Sequence, residues 1–336
     1  QRWDALFSGP SLGGCAAAKP LGGRVRFLSS FGAADESLDG SASTAAAGRR
    51  HAGWRRPGSE RAAGRCAVKD DISESAAQVY ESIVGADAGM LGSGARWVVN
   101  LGAGSWEDPM YALARRWNLS GVFVDPKGPP DGAELDPHIR FLAKPADPDN
   151  LRSLLLEAGL PCNEEGGPPV PIEALKVDID GCDCALVSAA LRLVHPKLVI
   201  MEINANIPPP LQFARQCHAD WPRAFSRLLN RGRIAETYGC SLAAAAAAVR
   251  AHGYGLHGLR AVDALFVEGG VGIDEVDCYD EAVREGELAQ FVHVEKEWVE
   301  EWMALSPPEA LAQVWCNLTL YDWLLGLSHI PFSLSV

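Results

Sequence analysis

The sequence has no uninterrupted apolar run of the ~18 residues that a membrane-spanning helix needs, so no span is expected. Its most apolar stretch, residues 314–336, is broken by Asn317, Asp322 and His329 and reads as core-covering helix and coil. Basic charge is scarce beyond the first segment. Residues 1–69 carry 11 Lys/Arg against 5 Asp/Glu, whereas residues 70–336 carry 19 against 38. A body that acidic excludes nucleic acid as the main partner, because phosphate recognition wants clustered Lys and Arg. There is no internal repeat, and neither His195 nor His252 has a Ser or Cys at nucleophile-elbow spacing, which argues against hydrolase chemistry. The nine cysteines are odd in number and scattered through 336 residues, which suggests reduced thiols in a reducing, cytoplasmic setting. Cys182 and Cys184 are too close for an ordinary disulfide with one another and read as packing residues.

Residues 1–70 lack a sustained hydrophobic period and are rich in Ala, Gly, Ser and Arg. Such a segment cannot bury enough apolar surface to offset its ordering entropy, so a disordered leader is expected. The same composition suits an organelle transit peptide. A globular α/β pattern occupies residues 71–272, and residues 273–336 read as a helical C-terminal extension, with Trp298, Trp302, Trp315 and Trp323 as packing anchors.

What is present is concentrated between residues 174 and 204. An apolar run from Ala174 to Val177, with Lys176 within it, turns acidic at Asp178 and Asp180, and Gly181 breaks the strand. Asp183 then stands where a helix cap belongs, and Leu186, Val187, Ala190, Leu191 and Val194 share one helical face that Pro196 should end. A second buried run, Leu198 to Met201, ends in Glu202 and Asn204. Ligands of open α/β sheets bind outside the carboxyl ends of the strands, so these four polar residues are the candidate catalytic groups. An Asp or Glu there can serve as general base, and Asp178 with Asp180 can hold a divalent cation such as Mg.

Upstream lies a strand–loop–helix–strand unit. Trp97 to Leu101 reads as a buried strand running into Gly102-Ala103-Gly104, Asp108-Pro109 starts a helix, and Val122 to Val124 stops at Asp125. Glycines at such a turn let backbone approach a ligand, and an acid at the tip of the second strand can take both hydroxyls of a ribose. Position 107 is Glu where the dinucleotide fingerprint has its third glycine, which favours a nucleoside ligand without a pyrophosphate over NAD. Asn150 is expected to cap a helix closed by Gly159, and Ser241 one closed by Gly253. Residues 255–259 and 263–268 read as a hairpin. Pro208 to Pro210 bar any helix before Leu211.

This order of elements resembles the S-adenosylmethionine-dependent methyltransferases. More narrowly, the V-D-I-D-G segment, the strand ending M-E-I-N, Pro208 to Pro210 and Tyr238-Gly239-Cys240-Ser241-Leu242 resemble a largely uncharacterised branch of the FkbM-like methyltransferase family over residues 72–270. The resemblance implies a doubly wound, mostly parallel class I methyltransferase-like sheet. It places Asn100, Gly102 and Gly104 at the methionine end of the cofactor, Asp125 at its ribose and Asp147 at the adenine amine. It implies methyl transfer to oxygen on a small molecule or glycan. Asn100 stands where many such enzymes carry an acid, and Ile203 where the branch often has Tyr. Those departures leave a second reading, a non-catalytic binding or scaffold module on the same fold, and a third, an NAD-linked oxidoreductase.

Overall fold

The computed structural model describes residues 66, 76–82, 96–104, 108–129, 136–163, 166–229, 237–270, 272–284, 288 and 305–336. Its centre is a seven-stranded sheet in the order β3-β2-β1-β4-β5-β8-β7. The strands are β1 (Trp97–Leu101), β2 (Ser120–Val124), β3 (Ile139–Leu142), β4 (Val170–Val177), β5 (Val194–Glu202), β7 (Tyr254–Arg260) and β8 (Asp263–Glu268). The first five are parallel to one another, and β8 runs antiparallel between β5 and β7. The chain moves outward from β1 to β3, then returns to lay β4 on the other side of β1. That reversal is the switch point at which a doubly wound sheet opens a crevice. The fold is therefore the doubly wound, mostly parallel sheet that the sequence led one to expect.

The strands are apolar on both sides because both sides are covered. Val98, Ala174, Leu198, Ile200 and Leu265 meet α1 (Pro109–Trp117) and Tyr80. Val99, Leu175, Val177, Val199 and Met201 meet α2 (Leu151–Glu157), α3 (Asp183–Ala190), α5 (Leu242–Arg250) and α6 (Glu275–Arg284). The remaining helices are α4 (Trp221–Leu229) and α7 (Pro307–Leu325). Local signals start and stop the helices as expected in α1 and α5. Asp108 accepts from Met110 N at 2.8 Å with Pro109 in the first turn, and Ser241 accepts from Ala244 N at 3.3 Å. Gly159 and Gly253 both have positive φ. At α2 the side chain of Asn150 makes no cap bond; Asp147 Oδ1 accepts from Asn150 N at 2.9 Å instead.

Pro196 does not end α3, which stops at Ala190; it lies inside β5. Ladder pairing explains its tolerance there. Pro196 faces Ile172 of β4 on one side, whereas β8 begins to pair only at Leu198, so the missing N–H is not needed on the other side. The carbonyl of Pro196 accepts from Tyr254 Oη at 2.6 Å.

The segment after the three prolines forms β6 (Gln212–Arg215), which pairs antiparallel with β9 (Phe332–Ser335), a strand in the stretch read as helix and coil. The guanidinium of Arg215, fully buried, meets Asp322 of α7 through two 3.0 Å bonds and Ile330 O at 2.7 Å. Tyr279 of α6 donates to Ala205 O at 2.6 Å. Within residues 273–336, Val276, Tyr279, Ala282, Ala310, Val314 and Leu318 join the main core cluster. Trp315 packs on Phe332 with ring centroids 4.9 Å apart, while Trp298, Trp302 and the Trp323 side chain lie outside the described residues.

The cysteines differ most from expectation. Cys66 bonds Cys278, Cys182 bonds Cys217, Cys184 bonds Cys240, and Cys316 is also disulfide-bonded; Cys162 is free. The reduced-thiol reading fails because each of the adjacent pair, Cys182 and Cys184, has its own distant partner. Cys66 also carries the packed part of the chain back into the expected leader. It is 1% exposed, and its carbonyl accepts from Leu259 N at 3.2 Å. The rest of residues 1–70 lies outside the described residues.

Candidate functional site

Parallel register brings the strand ends together. Val177 of β4 lies beside both Leu101 of β1 and Met201 of β5, so the loops after Leu101, Val177 and Glu202 emerge along one edge. Gly102, with φ +101°, crosses so close to the next loop that a Cβ there would lie 1.6 Å from Asp178 O. Only glycine fits. A Cβ on Gly104 would lie 3.0 Å from Asp125 Oδ2, so the turn runs against the acid at the tip of β2. The other oxygen of Asp125 accepts from Lys127 N at 2.7 Å.

Beyond β4 the chain forms a tight loop held from several sides. Asp183 reaches back to accept from Ile179 N at 2.8 Å and Gly181 N at 3.0 Å, which is how it acts, in place of a forward helix cap. Trp221 Nε1 donates to Asp180 O at 2.5 Å, and its ring lies where a Cβ on Gly181 would be, 2.9 Å from Cδ1. Asp180 adopts φ +55°, a left-handed conformation that Asp tolerates better than most residues. The result is that carboxylate oxygens of Asp178, Asp180 and Glu202, all half-buried, lie within 4.8 Å of one another.

Among the described residues two ammonium groups act on this edge, Lys127 on Asp180 and the buried Lys176 on several acids. Lys176, 4% exposed, meets Asp108 at 3.2 Å and also pairs with Asp178. Burial pulls its pKa down, yet Asp178, Asp108 and Asp263 together hold it well above the usual value, so Lys176 stays charged. Asp263 faces Glu202 across the β5–β8 ladder. Burial pushes its carboxyl up to about 7 against the pull of Lys176. Burial, reinforced by Asp178 and Asp183, takes Asp180 to about 7. Glu202 is raised well above its ordinary range by burial, then by Asp178 and Asp180. Burial lifts Asp183 to about 6 and raises Asp108 as well. Negative charge exceeds positive charge here, so the cluster holds protons or a cation.

The expected residues do not all play the same part. Asp178, Asp180 and Glu202 converge. Asn204 is fully buried, and its amide is engaged in a turn, donating to Tyr238 O at 2.8 Å and accepting from Asn206 N at 2.9 Å. Asp147 lies beyond β3, where its carboxylate binds Asp149 N, Asn150 N and Asn150 Nδ2. Asn100 is fully buried beside Lys176 in the β1–β4 register. Its amide is near enough to Asp108 to ease that carboxyl's ionisation, but neither Nδ2 nor Oδ1 has a partner at hydrogen-bond geometry. Lys176 as charge hub, Asp263 and Trp221 were not singled out from sequence. Of these, Asp263 had a signal: it opens the second strand of an expected hairpin, where a ladder partner for Glu202 could be sought.

The residues suit the nucleoside the resemblance implies, and the acids suit the cation their clustering suggested. An orphaned amide beside a glycine turn, with an acid across from it, suits an amino-acid-bearing nucleoside. A donor set of three carboxylates suits a hard divalent cation such as Mg.

No protein-family model matches the chain, and no curated protein matches it either. Among solved structures it is similar to the cyclopropane synthase MmaA2 from Mycobacterium tuberculosis, at 11% identity over 81% of this chain and 87% of that one, TM-score 0.30. It is also similar to a Galdieria sulphuraria protein assigned as a sarcosine dimethylglycine methyltransferase, at 13% identity over 79% and 86%, TM-score 0.28. Scores this low carry no functional weight, and the fold rests on the strand order itself. Among the described residues, no helix is long and apolar enough to cross a membrane.

Proposed function

We propose that the chain is an S-adenosylmethionine-dependent methyltransferase acting on an oxygen nucleophile of a small molecule or glycan. The observation that carries this reading is the seam at Gly102. Its turn touches Asp178 on one side while Gly104 runs against Asp125 on the other, so a nucleoside held by Asp125 ends beside the three carboxylates. S-adenosylmethionine, when bound, supplies an electrophilic methyl group to the incoming oxygen.

The chain's own residues bind, orient and move a proton. Asp125 accepts from the ribose hydroxyls through the oxygen facing Gly104. Asn100 uses its free donor and acceptor on the amino-acid end. Asp147, with lone pairs left after its turn bonds, faces the adenine amine. Asp180, with its carboxyl near 7, takes the proton from the substrate oxygen and shares it with Glu202, since a base works best when its pKa lies near the working pH. Asp178 and Asp180, with Glu202, form the place for a divalent cation that would acidify a substrate hydroxyl. Asn204 is a positioning residue that fixes the turn after β5.

The three described disulfides favour an oxidising compartment over the cytoplasm as the working location. Calorimetry of the full chain with S-adenosylmethionine, S-adenosylhomocysteine and NAD tests the reading. Binding of both sulfur nucleosides without NAD is expected. NAD binding, or none, overturns it. Sulfur-nucleoside binding with no methyl transfer to any hydroxylated acceptor leaves the scaffold reading, to which the amide of Asn204, engaged in a turn, lends support.

A further inference from the structure

Two sequence features that the catalytic reading leaves unused are the acceptor triplets Asn118-Leu119-Ser120 and Asn317-Leu318-Thr319, the N-x-Ser/Thr pattern of N-linked glycosylation. A triplet alone is weak evidence. The disulfides change its weight, because the secretory lumen, in which Asn side chains receive glycans, is one of the oxidising compartments where such bonds form.

The structure separates the two triplets. Asn118 is exposed at the C-terminus of α1, in a left-handed conformation with φ 50° and ψ 51° that turns the chain out of the helix. The anchoring of its triplet is done by its neighbours. Leu119 is 1% exposed, and its N–H donates to Ala114 O at 2.9 Å, while Ser120 opens β2 with its N–H on Arg96 O at 2.8 Å. A glycan on Asn118 therefore displaces nothing. Asn317 sits within α7 with its Nδ2 buried, and Thr319 Oγ1 is bonded to Trp315 O at 2.7 Å. A glycan on that nitrogen would have to push it out of the packed helix face.

We infer that Asn118 is an N-glycosylation site and that Asn317 is not. In the transfer, the Asn118 amide nitrogen bonds to the anomeric carbon of a polyprenyl-diphosphate-linked oligosaccharide. The carbon–oxygen bond to the diphosphate breaks, the lipid diphosphate leaves, and the amide proton passes to a base of the transferring enzyme. Asn118 precedes β2, whose five residues span about 17 Å, so the glycan sits at the end of the sheet opposite Asp125 and leaves the candidate site open.

The test uses the full chain isolated from cells that naturally make it, treated with a glycan-releasing amidase in heavy-oxygen water, which converts a glycosylated Asn to labelled Asp. Label on the Asn118 peptide and none on the Asn317 peptide is expected. Asn118→Gln and Ser120→Ala should each speed gel migration by the mass of one glycan, and Asn317→Gln should not. An unlabelled Asn118 peptide, or label at Asn317, overturns the inference. The outcome is independent of any methyl transfer.

Discussion

The two ends of the central sheet both carry buried charge, but only one end balances it. At the amino end, Glu173 of β4 accepts from Tyr80 Oη at 2.7 Å and Arg96 Nε at 2.9 Å, with Lys197 at 3.2 Å. Burial alone would raise that carboxyl, yet the bonds from Arg96, Tyr80 and Lys197 bring it below its ordinary value. Three residues further along the same strand, Lys176 is shared by Asp108, Asp178 and Asp263, while burial and then Asp178 raise both Asp180 and Glu202. A satisfied cluster holds strands together. An unsatisfied one in an equally well-packed sheet is strain that a ligand can relieve, and the contrast locates the site better than any single acid does.

The strongest way to break the comparison is to remove one cation from each end. Lys176→Met should cost about 3–5 kcal/mol in urea unfolding, because it strands buried carboxylates without a partner. Arg96→Met should cost only about 1 kcal/mol, since Arg96 is partly exposed and Glu173 keeps Tyr80 and Lys197. Equal losses would mean that the two clusters are alike.

Next in size is catalysis. Asp180→Asn and Glu202→Gln should each lower methyl transfer by at least ~100-fold while leaving S-adenosylmethionine affinity nearly unchanged. The same changes should raise the melting midpoint by relieving repulsion. If Mg shifts the melting curve of the unaltered protein but not of Asp180→Asn, the carboxylates hold a cation as well as a proton. Activity surviving both substitutions would sink the assignment. Smaller again, Asp125→Ala should weaken S-adenosylmethionine binding by roughly tenfold or more in calorimetry, through lost charge-assisted hydrogen bonds to the ribose.

The pH dependence of stability is the sharpest in sign. Asp180 and Asp263 are raised to about 7 and Asp183 to about 6 from an ordinary 3.8. Over that interval the folded chain keeps protons the unfolded chain has released, so these groups make stability fall as pH rises from 3.8 towards 7. Glu173, lowered from 4.5, does the reverse. Its contribution is present above 4.5 and is lost as pH falls through its folded value. Urea midpoints followed across this range should flatten in an Asp180→Asn, Glu202→Gln double variant. In Glu173→Gln the downward slope towards neutral pH should persist.

How much of this was legible follows the distance over which each signal acts. The β1–Gly turn–α1–β2–Asp125 unit could be read because its cap, its glycines and its apolar runs all lie within about thirty residues. Asp178, Asp180 and Glu202 could be read because both strands turn polar at their ends, and parallel pairing sets such ends side by side. Lys176 as a charge hub could not, since its partners depend on the register of β4 against β1 and on where α1 begins. Pro196 misled because proline usually ends a helix; its place in β5 depends on β8 starting two residues later. The β6–β9 pair and the disulfides were invisible for a plainer reason. Their partners lie 35, 56 and 212 residues apart for the disulfides, and composition carries no record of such pairings.

The ion pair of Arg215 with Asp322 has a consequence in time as well as in space. Asp322 follows Arg215 by 107 residues, so a growing chain must hold an unpartnered guanidinium for roughly 5–20 s at ordinary synthesis rates. During that interval β6 has no β9 to pair with, and the aromatic rings of Phe213 and Trp221 flank a charge that is not yet neutralised. Trp221 is also the residue that grips the Asp180 loop. Through Arg215, which lies over the Trp221 ring and pairs with Asp322, the last-made helix α7 is joined by side-chain contacts to the loop that carries Asp180.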